Sequence, residues 1–382
     1  MNTIKYKKIA IIGGGPGGLT LARLLQLKGA DVTVYERDLH QDARAQGATL
    51  DLHEESGLAA LQAAGLMDEF RTNYRPGADK MRVTDEHANI VLDDHIGEQD
   101  ETYRGRPEID RGPLQKLLLE SLTPGTVVWD SQFVSLTQYN NGWKIEFKNG
   151  KLAVADLVIA ADGANSKLRP YLTPVKPFYC GYTAVEGAVY HSETTIPEMH
   201  QLLSGGKIFA MGDNRSLIVS AKGDGSMIFY PCFKADENWV KDSGIDFTDK
   251  ARVLAWFKTE FANWGDIWTT LFEHASGTFV PRPLYAMPLE QAWEAQPNLT
   301  MLGDAAHLMP PYAGEGVNMA MLDALELSNA LTDESYPDTL LAIAAFEKQM
   351  RSRAAVAANE SIQSLEILHS PGAIDFMVRI AG

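Results

Sequence analysis

The chain opens its pattern with an apolar run, Lys8-Ile9-Ala10-Ile11-Ile12, that leads straight into Gly13-Gly14-Gly15-Pro16-Gly17-Gly18. Apolar residues then recur at helical spacing through Leu19, Ala22, Leu24, Leu25 and Leu27 and stop before Gly29. A second alternating run from Asp31 to Tyr35 ends in Glu36. The predicted order is buried strand, glycine turn, helix, strand, acid. Two more buried strands are predicted where apolar runs meet acids: Leu157 to Ala161 before Asp162-Gly163-Ala164-Asn165-Ser166, and Leu299 to Leu302 before Gly303-Asp304-Ala305-Ala306-His307. A rigid Pro310-Pro311 turn follows the last of these, and Gly314 and Gly316 open an apolar helix. Lys144 to Asp156 reads as a hairpin about Asn149-Gly150. Between about Pro177 and Trp268 the pattern changes to short alternating runs, 207–211, 216–221 and 226–233, separated by Gly-Asp-Asn and Gly-Asp-Gly turns, which predicts an antiparallel sheet. The tail from Leu340 to His369 reads as helix, and no internal repeat interrupts the chain.

The spacing Gly13-x-Gly15-x-x-Gly18 carries chemistry because the three glycines serve different ends, namely a tight turn, close approach of backbone to a pyrophosphate, and close packing of helix on strand. Gly17 lies inside the same turn, and Glu36, eighteen residues beyond Gly18, stands where a carboxylate accepts from ribose hydroxyls. The two glycine-opened helix starts offer unpaired N–H groups and positive dipole potential to an electron-rich group.

Composition narrows the function classes. With 382 residues the chain has room for two packed units, and 45% hydrophobic content is ordinary for a globular enzyme. A formal net charge of −16 with no basic run argues against a nucleic-acid partner. No run of eighteen apolar residues predicts a membrane span, and the glycines, Pro16 and Arg23 break up any signal-peptide core. Cys180 and Cys232 sit in no metal or redox spacing; buried packing in a reducing cytoplasm is expected, with no metal site.

The glycine-rich N-terminus, the Asp162-Gly163 segment and the Gly303-Asp304-Ala305-Ala306-His307 segment resemble the three fingerprints of the FAD-dependent aromatic hydroxylases, in the same order across nearly the whole chain. Within that family the chain is similar to the tetracycline-inactivating flavin monooxygenases of the TetX type, through 34–38, 47–53, 107–111, 128–130 and 303–318. The resemblance implies an α/β fold with a Rossmann-like, PHBH-like FAD-binding domain in three pieces, 1–74, 104–175 and 268–321. It further implies an antiparallel-sheet substrate domain, 75–103 and 176–267, and a bracing helical segment, 322–382. It implies FAD and NADPH as cofactors, dioxygen as co-substrate, and oxygen transfer to an electron-rich carbon through a flavin C4a-hydroperoxide, with no protein nucleophile. A monomer is expected. Cofactor contacts are expected from Gly13, Gly15, Gly17, Gly18, Glu36, Arg37, Asp51, Arg111, Asp162, Asp304, Pro311, Gly314, Gly316, Val317 and Asn318, with Arg44 placed toward NADPH.

The same resemblance places Glu186, Lys207 and Ile228, with Pro311 and Gly314, around the substrate. The TetX type is expected to carry Gln, Arg and His at the first three positions and Asn-Gly in place of Asp162-Gly163. Exchanging an amide for a carboxylate and an imidazole for an aliphatic group rewrites hydrogen bonding. The expected substrate is thus a tetracycline-like enol, with a phenol or other aromatic polyketide as the alternative and a non-catalytic ligand-sequestering flavoprotein behind both. A flavin halogenase is disfavoured, because no W-x-W-x-I-P motif is present. His307 lacks a Ser or His partner at a recognisable spacing and reads as a structural histidine bonded within its turn. Phe209, Met211, Phe229 and Tyr230 read mostly as core, with about a third facing substrate.

Overall fold

The computed structural model describes residues 4–43, 47, 49–96 and 106–381. Its first layer is a five-stranded parallel sheet in the order Leu299–Met301, Leu157–Ala160, Lys8–Ile12, Asp31–Tyr35, Val127–Val128. The three apolar runs that precede the fingerprints are therefore neighbours, and all three fingerprints leave the sheet at its carboxyl edge, where ligands bind in open α/β sheets. These strands are covered on both faces, which is why they read as unbroken apolar runs. Helix Pro16–Leu27 packs against Glu315–Thr332, and the hairpin Gly142–Phe147 with Leu152–Ala155 extends into a small antiparallel sheet with Phe133–Tyr139.

The second unit is a seven-stranded sheet in the order Val280–Ala286, Phe178–Val189, Met227–Lys234, Arg215–Ala221, Lys207–Gly212, Met81–Asp85, Ile90–Asp93. Strands 207–212, 215–221 and 227–234 pair antiparallel as expected, and two features extend the expected plan. Met81–Asp85 pairs parallel to Lys207–Gly212, so the sheet is mixed rather than purely antiparallel. The strand Val280–Ala286 and helix Asp266–Glu273 belong with this unit, so the chain returns to the first unit after Ala286 and not at residue 268. Pro281 and Pro283 hide that strand in the sequence; an edge position tolerates them, because the missing N–H of a proline matters only where a neighbouring strand would accept from it.

One face of the large sheet, with Val185, Leu217, Val219, Phe229 and Phe233, packs on Val253, Phe257, Trp268 and Phe272 of the covering helices. The opposite face looks toward the first unit. Thr339–Leu368, a 30-residue helix whose N-cap Asp338 accepts from the Leu341 N–H at 2.9 Å, braces Glu315–Thr332. The chain ends in Ala373–Ala381, whose Met377 packs with Val83 and Met211 of the large sheet. Among the described residues no helix is long and apolar enough to cross a membrane.

Candidate active site

The glycine turn is built as tightly as its spacing implies. Gly13 has φ +116°, and a Cβ there would lie 2.2 Å from the Ala161 carbonyl oxygen; one on Gly18 would lie 2.2 Å from the Gly13 oxygen. Gly17 is confined by the Ala320 oxygen at 2.9 Å, which sets helix against helix. A Cβ on Gly15 would meet nothing within 4 Å, so this residue faces open space at the start of helix Pro16–Leu27, as a pyrophosphate cradle requires. Glu36 is buried at the end of its strand, its Oε2 accepting from the Gly14 N–H at 2.6 Å and its Oε1 from the Asp38 N–H at 3.0 Å. Arg37 beside it is exposed, and Arg44 lies outside the described residues.

Arg169 ties the second and third fingerprints together: its Nε donates to the Ala305 oxygen at 2.7 Å and its Nη2 to the Ala164 and Asp304 oxygens, each at 3.0 Å. Asp162 accepts from the Lys167 N–H at 2.8 Å through Oδ2, while its buried Oδ1 has no partner. Burial pushes the carboxyls of Asp162 and Asp304 up, and for Asp304 the charges of His307, Arg111 and Arg169 oppose that rise. His307 is structural, but not through its own turn. Its Nε2 sits 2.6 Å from Oδ2 of Asp323 on the following helix, and the same oxygen accepts from the Gly303 N–H at 2.9 Å. Arg353 completes the cluster, reaching Asp323 at 2.7 Å. Burial alone would lower the His307 pKa; the Asp323 carboxylate outweighs it and raises it.

The third group surrounds the start of helix Glu315–Thr332, where Gly314 has φ +69°. Asp51 packs so close that a Cβ on Gly314 would lie 2.6 Å from its Oδ2. His53 stands between two acids, Nε2 3.0 Å from Asp51 and Nδ1 3.3 Å from Glu315. Burial opposes its charge, yet the two carboxylates lift its pKa to about 9. Asn318 is fully buried and its side chain is committed to the protein, donating to the Asp51 and Gly314 oxygens at 2.9 and 3.0 Å and accepting from the His53 N–H at 2.9 Å. Asn318 therefore offers a cofactor no free side-chain atom. Gly316 and Val317 are partly accessible in the helix's first turn, and Pro311 is exposed in the preceding loop. Arg111 opens helix Arg111–Glu120; burial lowers its pKa, opposed chiefly by the charge of Asp304 and also by the neighbouring Tyr230 and Glu186.

That last set of neighbours joins the two units. On the sheet face turned toward Arg111, strand pairing puts Glu186, Ala188, Ile228, Tyr230, Ile218, Phe209 and Lys207 on one side. The three residues expected at the substrate do share this face, but in different states. Glu186 is paired with Arg282 (Nη2 2.9 Å), Lys207 bonds Glu108, and Ile228 is buried at 4% exposure. Of the four apolar or aromatic residues weighed as core or pocket, Phe209 and Tyr230 are partly accessible on this face. Met211 is buried on it beneath Met377, and Phe229 lies on the other face against Phe272. Sequence reading missed Arg282, His53 and Asp323; the first is masked by its prolines, and the others gain meaning only from partners distant in the chain.

The residues present fit FAD: a glycine turn with open space at Gly15, an orphaned buried carboxylate oxygen on Asp162, and a helix start at Gly314 with Asp51 packed against it. Residues 6–180 and 291–357 match the FAD binding domain family, of the aromatic-hydroxylase type. The chain belongs to this family. It is 28% identical over 375 residues to the monooxygenase asqM of Emericella nidulans, covering 85% of this chain and 83% of that one. It is 29% identical to 3-amino-4-hydroxybenzoate 2-monooxygenase PtnB3 of Streptomyces platensis, over 85% and 79% of the two chains. The fold also matches the crystal structure of tetracycline destructase Tet(55), with TM-score 0.76, 19% identity, and coverage of 98% and 94%. The protein is an FAD-dependent monooxygenase.

Proposed function

We propose that this monooxygenase consumes NADPH and hydroxylates an electron-rich ring carbon next to a phenolic or enolic hydroxyl. The observation that carries the reading is the accessible strip Glu186, Tyr230, Ile218, Phe209 and Lys207, facing Arg111 and Asp51 at the helix start. FAD supplies the redox and oxygen chemistry; the chain binds, orients and shields. Gly13, Gly15 and Gly18 with Glu36 would hold the adenosine diphosphate part, Asp162 and Asp304 the middle, and Gly314, Gly316 and Val317 the isoalloxazine edge. Phe209 and Ile218 offer a flat apolar floor for a ring, and Glu186 and Tyr230 its polar end.

A simple phenol or other aromatic fits this strip better than tetracycline. Glu186 and Lys207 are each committed to an ion pair and Ile228 is buried, so these positions do not present the free amide, guanidinium and imidazole expected of the TetX type. The tetracycline reading is kept alive by the shared segments 47–53 and 107–111. Screening simple phenols and tetracycline for stimulated NADPH oxidation tests both: stimulation with a product one oxygen heavier supports the reading, and NADPH oxidation indifferent to every aromatic would overturn it.

A further inference from the structure

Across the face toward Arg111 the pairing sets residues in a row: Val280, Glu186, Tyr230, Ile218, Phe209, Val83. Glu186↔Val280, Ile218↔Tyr230, Phe209↔Ile218 and Phe209↔Val83 are direct partners, and the register of the central pair of strands puts Glu186 opposite Tyr230. Of the rows on either side, one is closed by buried Cys232, Ser216 and Met211, and the other is buried at Ile228 and Ser220 and opens only at its ends, Ala188 and Lys207. Glu186, Tyr230, Ile218 and Phe209 stay partly accessible. A ring lying on Phe209 and Ile218 would thus point one edge at Glu186 and Tyr230.

The polarity of that edge is set by its hydrogen bonds. Arg282 sends both Nε (3.1 Å) and Nη2 (2.9 Å) to the same Glu186 oxygen, Oε2. Tyr230 stands opposite Glu186 across the strand pair, and because a carboxylate can only accept, the Tyr230 hydroxyl is the one group of the two that can donate. With its proton turned toward Glu186, the Tyr230 oxygen presents lone pairs outward. Burial and the Glu186 charge push the phenol far above its ordinary pKa, so the proton stays. Glu186 Oε1, which takes neither Arg282 bond, is an acceptor too. The edge is acceptor-rich and carries a carboxylate.

We propose that Glu186, fixed by Arg282 and Tyr230, determines specificity by selecting rings that bring a hydrogen-bond donor, a second hydroxyl or an amino group, to this edge and by excluding rings that bring a carboxylate. The inference rests on the phenol-hydroxylase reading and names its substrate class. A donor meets Glu186 Oε1 and the Tyr230 oxygen; a carboxylate there meets a like charge and two acceptors, while the nearby guanidiniums are engaged, Arg282 with Glu186 Oε2 and the buried Arg111 chiefly with the charge of Asp304. Glu186→Gln keeps the shape, removes the charge and frees Arg282, so it should admit the anion.

The test is binding to the oxidised holoenzyme, read by perturbation of flavin absorbance, with catechol, guaiacol and salicylate, which share one hydroxyl and differ in the neighbouring group. The parent should bind catechol at least about tenfold more tightly than guaiacol or salicylate. Glu186→Gln should shrink the catechol-to-salicylate ratio by about tenfold, and Tyr230→Phe should weaken catechol while sparing guaiacol. FAD content and circular dichroism check that each variant is folded, and Arg282→Met, which leaves Glu186 charged, should not admit salicylate. Salicylate binding the parent as well as catechol does, or a ratio unmoved by Glu186→Gln, would overturn the inference. Because the readout is binding and not turnover, phenol-stimulated NADPH oxidation with an unmoved ratio defeats this inference alone; no saturable binding by any of the three defeats it together with the reading beneath it.

Discussion

His307 Nε2 lies 2.6 Å from Asp323 Oδ2, and the same carboxylate oxygen accepts from the Gly303 N–H at 2.9 Å, so one buried acid holds both ends of the segment that carries Asp304. Removing one partner of a buried charged pair leaves the other uncompensated, at a cost of about 3–5 kcal/mol. Asp323→Asn should therefore lower the thermal midpoint of the apoprotein and weaken FAD retention together. An Asp323→Asn protein that melts with the parent would contradict this.

Gly15 and Gly18 separate two roles. At Gly18 an added Cβ would lie 2.2 Å from the Gly13 oxygen, whereas at Gly15 it would meet nothing within 4 Å. Gly18→Ala should destabilise the fold itself. Gly15→Ala should leave the apoprotein's melting temperature near the parent's and cost FAD affinity. Calorimetry of apoproteins with cofactor titration checks the pair; equal melting losses would remove the cradle from Gly15.

Much of this was legible in the sequence, for a physical reason. The glycine turn, its flanking strands and the Asp162 and Asp304 segments are local patterns, where hydrophobic period and special backbone geometry are written in adjacent residues. What stayed hidden depends on distant partners: Asp323 on a later helix, Glu186 with Arg282, and the strand Val280–Ala286 behind two prolines. The partner of His307 lies outside its own turn, which shows its own polar groups in the sequence but not the helix that folds over it.

Asp304→Ala and Arg111→Ala each remove an ionisable group proposed to contact the cofactor, where charge-assisted hydrogen bonds contribute about 1.5–3 kcal/mol. Both variants should release FAD more readily on dilution while keeping the parent's circular dichroism. Unchanged dissociation constants would remove these residues from the cofactor's contacts.

His53 makes stability depend on pH. Its folded pKa, lifted to about 9 from the ordinary value of 6.5 by Asp51 and Glu315 against the cost of burial, lies above the unfolded one. A raised folded value means that the contribution is fully present below pH 6.5 and is lost as pH rises toward about 9. The parent's melting advantage over His53→Asn should shrink across that window. A constant gap between the two proteins would show that His53 carries no proton of this kind.

The most direct measurement of the central claim combines cofactor and oxygen in one experiment. The purified protein should be yellow, release FAD on heating and, with NADPH, isotopically labelled dioxygen and a phenolic substrate such as catechol, give a product carrying one labelled oxygen atom. Release of FMN, or a product whose added oxygen comes from water, would contradict the account.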